Sequence, residues 1–330
     1  QAWQGKASLA YLFVLQRLGK QLVHVGRMDD SEAALREGIA LLQQHPRLDD
    51  AAPHLSPDLR SALAWTLREQ GHTDEAMTLA QDAFDHLTAT QPADQRQRTD
   101  AGVRLSSLLS DAGRYDEAIA LMREMLALRA QALDIDHPKL LSMRLSLSVF
   151  HLQKRDYAGA EAILKALLDP VARQLGNDSS MMLMLRANLA GALRQQGKVT
   201  EAGPHYQFAH ERAEALHGPR SPSAIMTRAN HANWLRDSGQ PERALVEHGA
   251  SLALAEEVFG PDHDATAEAL RGLGLTQIAL GLLPEARVGL ERSLVILTAR
   301  YGNADGPLAR IRESIAQLEA AETQARAGGE

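Results

Sequence analysis

The sequence predicts an all-α fold, a solenoid built from helix hairpins. Three observations predict it. Ala76, Ala118, Ala160, Ala202, Ala244 and Ala286 recur at a spacing of 42 residues. Five residues before each stands Gly71, Gly113, Arg155, Gly197, Gly239 or Gly281. Aromatic residues are 4% of the 330-residue chain against 45% apolar, so the core must be mostly Leu and Ala, which suits close helix packing. A period of this length accommodates two helices of roughly 15 to 18 residues and two short turns. Self-similarity at a fixed spacing marks a stacked array, whose core grows with the number of repeats.

The elements follow in order as parts of one solenoid over 1–330. Residues 1–54 form an irregular helix pair and a link, because Gly26 precedes Gly71 by 45 residues and Pro46, Pro53 and Pro57 punctuate 43–57. Residues 55–303 hold six hairpins of 42 residues. In each, helix A ends at the repeat glycine, which tolerates the left-handed conformation after a helix C-terminus; Arg155 predicts a turn that is strained or differently closed. Seven residues before that position stand Ala64, Ser106, Ser148, Ala190, Ala232 and Gly274, all small. The preceding residue is Leu63, Leu105, Leu147, Leu189, His231 or Leu273. The small residue lets helix B approach, the Leu fills the core, and the repeat Ala of helix B faces the same contact, where a larger side chain would overpack. Gly176, Gly218, Gly260 and Gly302 close helix B, and Pro92, Pro138 and Pro222 mark neighbouring breaks. Over 304–330, Leu308, Ile311, Ile315 and Leu318 give an amphipathic capping helix, with fraying beyond Ala325.

Composition excludes several function classes. A net charge of −7 argues against a general nucleic-acid role. The absence of cysteine removes disulfides, thiolate catalysis and Cys-type zinc sites. Of 13 histidines, His205, His210 and His217 do not share one helix face, and no His-Glu-x-x-His run occurs, so neither a metal nor another cofactor is expected. No Gly-x-Ser-x-Gly elbow appears, the Gly302–Gly306 stretch falls in a linker, and no catalytic activity is expected. Ala7–Leu15 is far shorter than the roughly 20 apolar residues of a membrane span and follows no basic segment, so no membrane insertion is expected. The chain opens with Gln1, as an excised segment of a longer protein would. The sequence leaves two compartments open: cytoplasmic, or periplasmic if the parent chain carries a preceding transmembrane span. Twenty-nine Arg against six Lys point to a GC-rich bacterial genome.

A small residue, then Gly, then Ala five residues later, in helix pairs, resembles the tetratricopeptide repeat. The period and the linkers Leu133-Asp134-Ile135-Asp136-His137-Pro138 and Phe259-Gly260-Pro261-Asp262-His263 are similar to the kinesin light chain variety. Ala187-Asn188-Leu189-Ala190 matches its helix A core, and Ala229-Asn230-His231-Ala232 matches apart from His231. Bacterial chains of this kind resemble the C-terminal halves of Ser/Thr kinases and other signalling proteins; no kinase motif occurs here.

The resemblance implies a right-handed α-α superhelix in which helix A lines a concave groove that holds a protein segment. Carried onto this chain, the groove positions are Ala187, Asn188, Gly191, Arg194 and Gln195, then Ala229, Asn230, Asn233, Arg236 and Asp237. An Asn amide donates and accepts, so it brackets a peptide backbone; Arg194 and Arg236 fork onto carboxylate or phosphate. Arg186 and Arg228, one repeat apart, precede the Ala-Asn pairs. Residues 181–236 hold seven Lys or Arg and three acids, which predicts a basic groove and an acidic or phosphorylated partner; the alternative is solvated surface. Trp65 falls at the equivalent position of the first regular repeat, either as a binding anchor or buried between repeats. Met181, Met182, Met184 and Met226 suit core filling or an adaptable contact surface. A rival reading gives the array an assembly role, as a homodimer with an idle groove.

Overall fold

The computed structural model describes residues 8–90, 95–302 and 305–327, the side chains of 305–307 excepted. Pro92, much of the Gly302–Gly306 stretch and the last residues of the expected frayed tail lie outside them. All regular structure among the described residues is helical: α1 (Leu9–His24), α2 (Met28–Gln44), α3 (Pro46–Ala51), α4 (Leu55–Glu69), α5 (Thr73–Thr90), α6 (Gln95–Asp111), α7 (Tyr115–Arg129), α8 (Pro138–Gln153), α9 (Tyr157–Leu175), α10 (Ser180–Gln195), α11 (Val199–His217), α12 (Pro222–Asp237), α13 (Pro241–Phe259), α14 (Asp264–Ala279), α15 (Leu283–Tyr301) and α16 (Asp305–Ala327). The proline-containing link expected at 43–57 holds the one-and-a-half-turn helix α3, and Pro57 sits inside the first turn of α4, where a missing N–H costs nothing. The chain divides into two compact units, residues 1–163 and 164–330.

In the N-terminal unit α1 pairs with α2, α4 with α5 and α6 with α7, and neighbouring hairpins stack. One continuous core includes Leu12, Leu35, Leu59, Leu63, Leu105 and Met122, each at most 2% exposed. In the C-terminal unit the hairpins are α10–α11, α12–α13 and α14–α15, with α16 packed on α15. Here Leu185, Leu189, Leu193 and Leu235 are buried, each at most 1% exposed, and α16 seats Leu308, Ile311 and Leu318 against Ala286 and Leu290. The small positions meet their purpose: a Cβ added to Gly274 would stand 2.8 Å from Leu290 Cγ.

The turns between helices A and B share one geometry. Gly71, Gly113, Gly197, Gly239 and Gly281 have φ between 74° and 85°. Arg155 adopts φ 64°, the only positive φ of a non-glycine among the described residues. Its closing bonds match its neighbours': the Asp156 N–H donates to the His151 carbonyl at 2.8 Å, as the Lys198 N–H donates to the Leu193 carbonyl at 3.0 Å. The turn is therefore strained and closed in the ordinary way. The two linkers that resemble each other act as caps. His137 Nδ1 accepts from the Lys139 N–H and His263 Nδ1 from the Ala265 N–H, both at 3.1 Å, so each imidazole satisfies an amide that helix geometry leaves orphaned.

Candidate functional site

Helices α10 and α12 present equivalent faces. Positions three or four residues apart lie on one side of a helix, so Met184, Asn188, Gly191 and Arg194 line α10 as Met226, Asn230, Asn233 and Arg236 line α12. Met184 and Met226 are 50% and 57% exposed, whereas Met182 is buried; the methionines divide between contact surface and core. Asn188, Asn230 and Asn233 are half-buried.

The arginines on this face hold the chain's own carboxylates. Arg194 Nε donates to Asp237 Oδ2 at 2.6 Å, tying α10 to α12. Arg236 donates to the other oxygen of Asp237 at 2.9 Å and to Asn233 Oδ1 at 3.1 Å. Arg228 is bracketed by Glu214 and by Glu247, the latter at 3.1 Å. Arg212 pairs with Asp178 and Arg220 with Glu257. Four of these partners, Asp178, Asp237, Glu247 and Glu257, lie outside residues 181–236, so the positive excess counted over that segment is offset by neighbours in space. Arg186 differs. Its guanidinium stacks 4.3 Å from the Phe208 ring, its buried Nε has no hydrogen-bond partner, and desolvation pushes its pKa down.

The Arg194–Asp237 bridge recurs in the N-terminal unit. Arg68 of α4 pairs with Asp111 of α6, and Ser110 of α6 donates to Gln153 of α8. All three link the C-terminal ends of successive A helices across 43 residues. They are rungs between repeats.

The N-terminal unit also places groove positions together. Lys20 and Trp65 stand six residues before Gly26 and Gly71, and Ala62 and Arg104 stand nine before Gly71 and Gly113. These four, with Val23 and His24, line a cavity of about 320 Å³. Trp65 is 38% exposed, with the Arg68 guanidinium 4.5 Å from its ring. It is thus part of an open wall. Lys20 and Arg104 have no carboxylate partner among the described residues, since neighbouring Asp58 accepts from Gln16 and Asp100 from Arg129. Sequence reasoning missed both cations. The signal was present, because Arg104 stands two repeats before Asn188.

Among the described residues no group of three or more His, Asp or Glu side chains could hold a metal ion. None of the described helices is long and apolar enough to cross a membrane.

Models of the tetratricopeptide repeat match residues 58–85, 103–139, 180–246 and 230–299. No curated protein sequence matches the chain. Among solved structures, a putative kinesin light chain from Podosopora anserina with nearly identical TPR-like repeats is similar over 62% of this chain and 97% of its own, at 20% identity and a TM-score of 0.53. The Rap conjugation gene regulator of plasmid pLS20, solved with a Phr peptide, is similar over 97% of each chain at 12% identity and a TM-score of 0.60. A signal transduction ATPase with numerous domains and a tetratricopeptide repeat sensor, from Pyrococcus horikoshii, is similar over 94% of this chain and 46% of its own, at 12% identity and a TM-score of 0.60. Repeat period, turn geometry and family models agree, and the chain belongs to the tetratricopeptide repeat proteins.

Proposed function

We propose that the chain is a non-catalytic module that captures an acidic or phosphorylated segment of another protein on the A-helix faces. The observation that carries this reading is the cavity lined by Lys20, Trp65 and Arg104. An exposed indole offers a flat apolar platform, and two cations without internal partners supply the charge. The A-helix face of the C-terminal unit contributes the amides of Asn188, Asn230 and Asn233 for backbone bracketing, the exposed Met184 and Met226, and Arg186 as its uncompensated cation. Arg194, Arg228 and Arg236 would meet a ligand carboxylate only by sharing or exchanging the ones they hold. Since a tetratricopeptide sensor forms part of the Pyrococcus signalling ATPase, we assign this chain the corresponding place: the recognition arm of a larger bacterial signalling protein, such as a Ser/Thr kinase.

Fluorescence anisotropy against Asp/Glu-rich, phosphoserine-containing and Lys-rich peptides tests this. Acidic peptides are expected to bind and to perturb Trp65 emission. Lys20→Glu with Arg104→Glu abolishes binding at the N-terminal unit, and Asn188→Ala with Asn230→Ala weakens it at the C-terminal unit. Equal binding of acidic and basic peptides would overturn the reading. One feature favours a rival, self-assembly role. Phe13, Val14 and Leu18 on α1, and Val25 just after it, are 43%, 57%, 45% and 69% exposed, and a concentration-independent dimer by light scattering, lost in Leu18→Glu, would support it.

A further inference from the structure

Four residues after each repeat Ala, helix B sends a side chain into the core. Ala80, Met122, Leu164, Tyr206 and Leu290 occupy that position, each at most 4% exposed. In α13 the residue is His248. It is fully buried, and neither ring nitrogen has a hydrogen-bond partner. The space for it is made by Gly272 of α14, where a Cβ would come within 2.6 Å of His248 Cε1. Helix α13 packs against α12 and α14. The charged groups facing His248 are Arg236 and Asp237 from α12 and Arg271 from α14. The one carboxylate among them already accepts from both Arg194 and Arg236. An imidazolium here would have no free counter-ion, no exposure to bulk solvent and two guanidinium neighbours.

We propose that His248 makes the C-terminal unit an acid-opened element, in which mild acid separates α13 from α12 and α14. Burial, with Arg236 and Arg271 adding to it and Asp237 opposing, holds the imidazole pKa down to about 3. The unfolded chain takes up this proton near pH 6.5. The folded pKa lies below the unfolded one, so stability is intact above pH 6.5 and falls as the pH drops through that value. Between pH 7 and pH 5 this group alone multiplies the opening constant by about 25-fold, whatever its folded pKa, provided that is below about 4. Two other histidines act in the same direction. Burial also lowers the pKa of His231, which stacks 5.5 Å from the rings of both His210 and Trp234, and of His205. Opening at α13 disorders the seat of α12, which carries Asn230 and Asn233, so acid also releases whatever that face holds. This last step rests on the proposed capture function.

Native-state hydrogen exchange of the full chain at pH 7 and pH 5, corrected for intrinsic rates, tests the proposal. The substitution is His248→Leu, since Leu290 fills the same position; His248→Met, after Met122, is read in the same way if the Leu variant does not fold. The opening constant of α12–α14 is expected to rise about 25-fold more in the wild type than in the variant. An equal rise in both overturns the proposal. Anisotropy with an Asp/Glu-rich peptide at both pH values separates the two readings. Acid opening without binding at either pH refutes the capture function alone.

Discussion

Arg155 carries a cost that its neighbours do not. It holds φ 64° at a turn where the other repeats place glycine, and its side chain makes no hydrogen bond or ion pair among the described residues. An L-residue in this region loses about 1–2 kcal/mol. Glycine returns part of that through the greater freedom of its unfolded chain, about 0.4–1 kcal/mol. Arg155→Gly should therefore stabilise the N-terminal unit by about 0.5–1 kcal/mol, which for a unit of about 160 residues raises Tm by about 1–4 °C. Urea denaturation with an unchanged slope measures it. The reciprocal change is a control, because a Cβ at Gly197, φ 74°, would meet nothing within 4 Å. Gly197→Arg should cost about as much as Arg155→Gly gains, through conformation alone. If Arg155→Gly is neutral or destabilising, the turn is not strained and the account of the repeat glycines fails.

Other outcomes follow from the packing and the pairs. A double-mutant cycle of Arg194→Ala and Asp237→Ala should show a coupling of about 1 kcal/mol, since both side chains are only about a quarter exposed; zero coupling would deny the rung a role. Gly274→Ala should cost about 1–3 kcal/mol by driving a methyl into Leu290, and thermal melts read it directly. Asp156 caps α9: its Oδ1 accepts from the Gly159 N–H at 2.9 Å and its Oδ2 from His151 at 2.7 Å. Asp156→Ala should cost about 1 kcal/mol. These same bonds, the Gly159 amide first, hold its carboxyl below the usual range. The capping stability is then present above about pH 4 and lost as the pH falls through the folded value, and the Ala variant should lack that acid dependence.

The periodic features were readable because they depend on one residue at a time. A turn glycine, a small residue under a crossing helix and a repeat Ala each answer a local steric demand, and a fixed period shows the glycine five times and the other two six times. The charge of the site was not readable in the same way. Asp237 stands one residue beyond the segment whose positive excess suggested a basic groove, and Asp178, Glu247 and Glu257 approach from other helices. Ion pairing follows distance in space, so a window along the chain omits half of each pair. His248 was invisible for a related reason. The equivalent residues of other repeats are mostly apolar, and only the packing around His248 shows that its imidazole is shut off from bulk solvent. Trp65 was placed at a groove position, but its open wall depends on Lys20 and Arg104 from adjoining helices.

The rungs between A helices have a mechanical meaning. In the C-terminal unit Arg194 of α10 holds Asp237 of α12, and the next rung would join Arg236 to residue 279, which is Ala279. Arg236 turns back onto its own neighbour, and α12 meets α14 through side-chain packing without a polar tie. The B helices of the same two hairpins are tied, Arg292 of α15 to Glu256 of α13 at 2.6 Å, so this joint is pinned on one side only. Bending would therefore open the A-helix side of this joint first, and in a force–extension record the first yield would free the segment beyond Gly260.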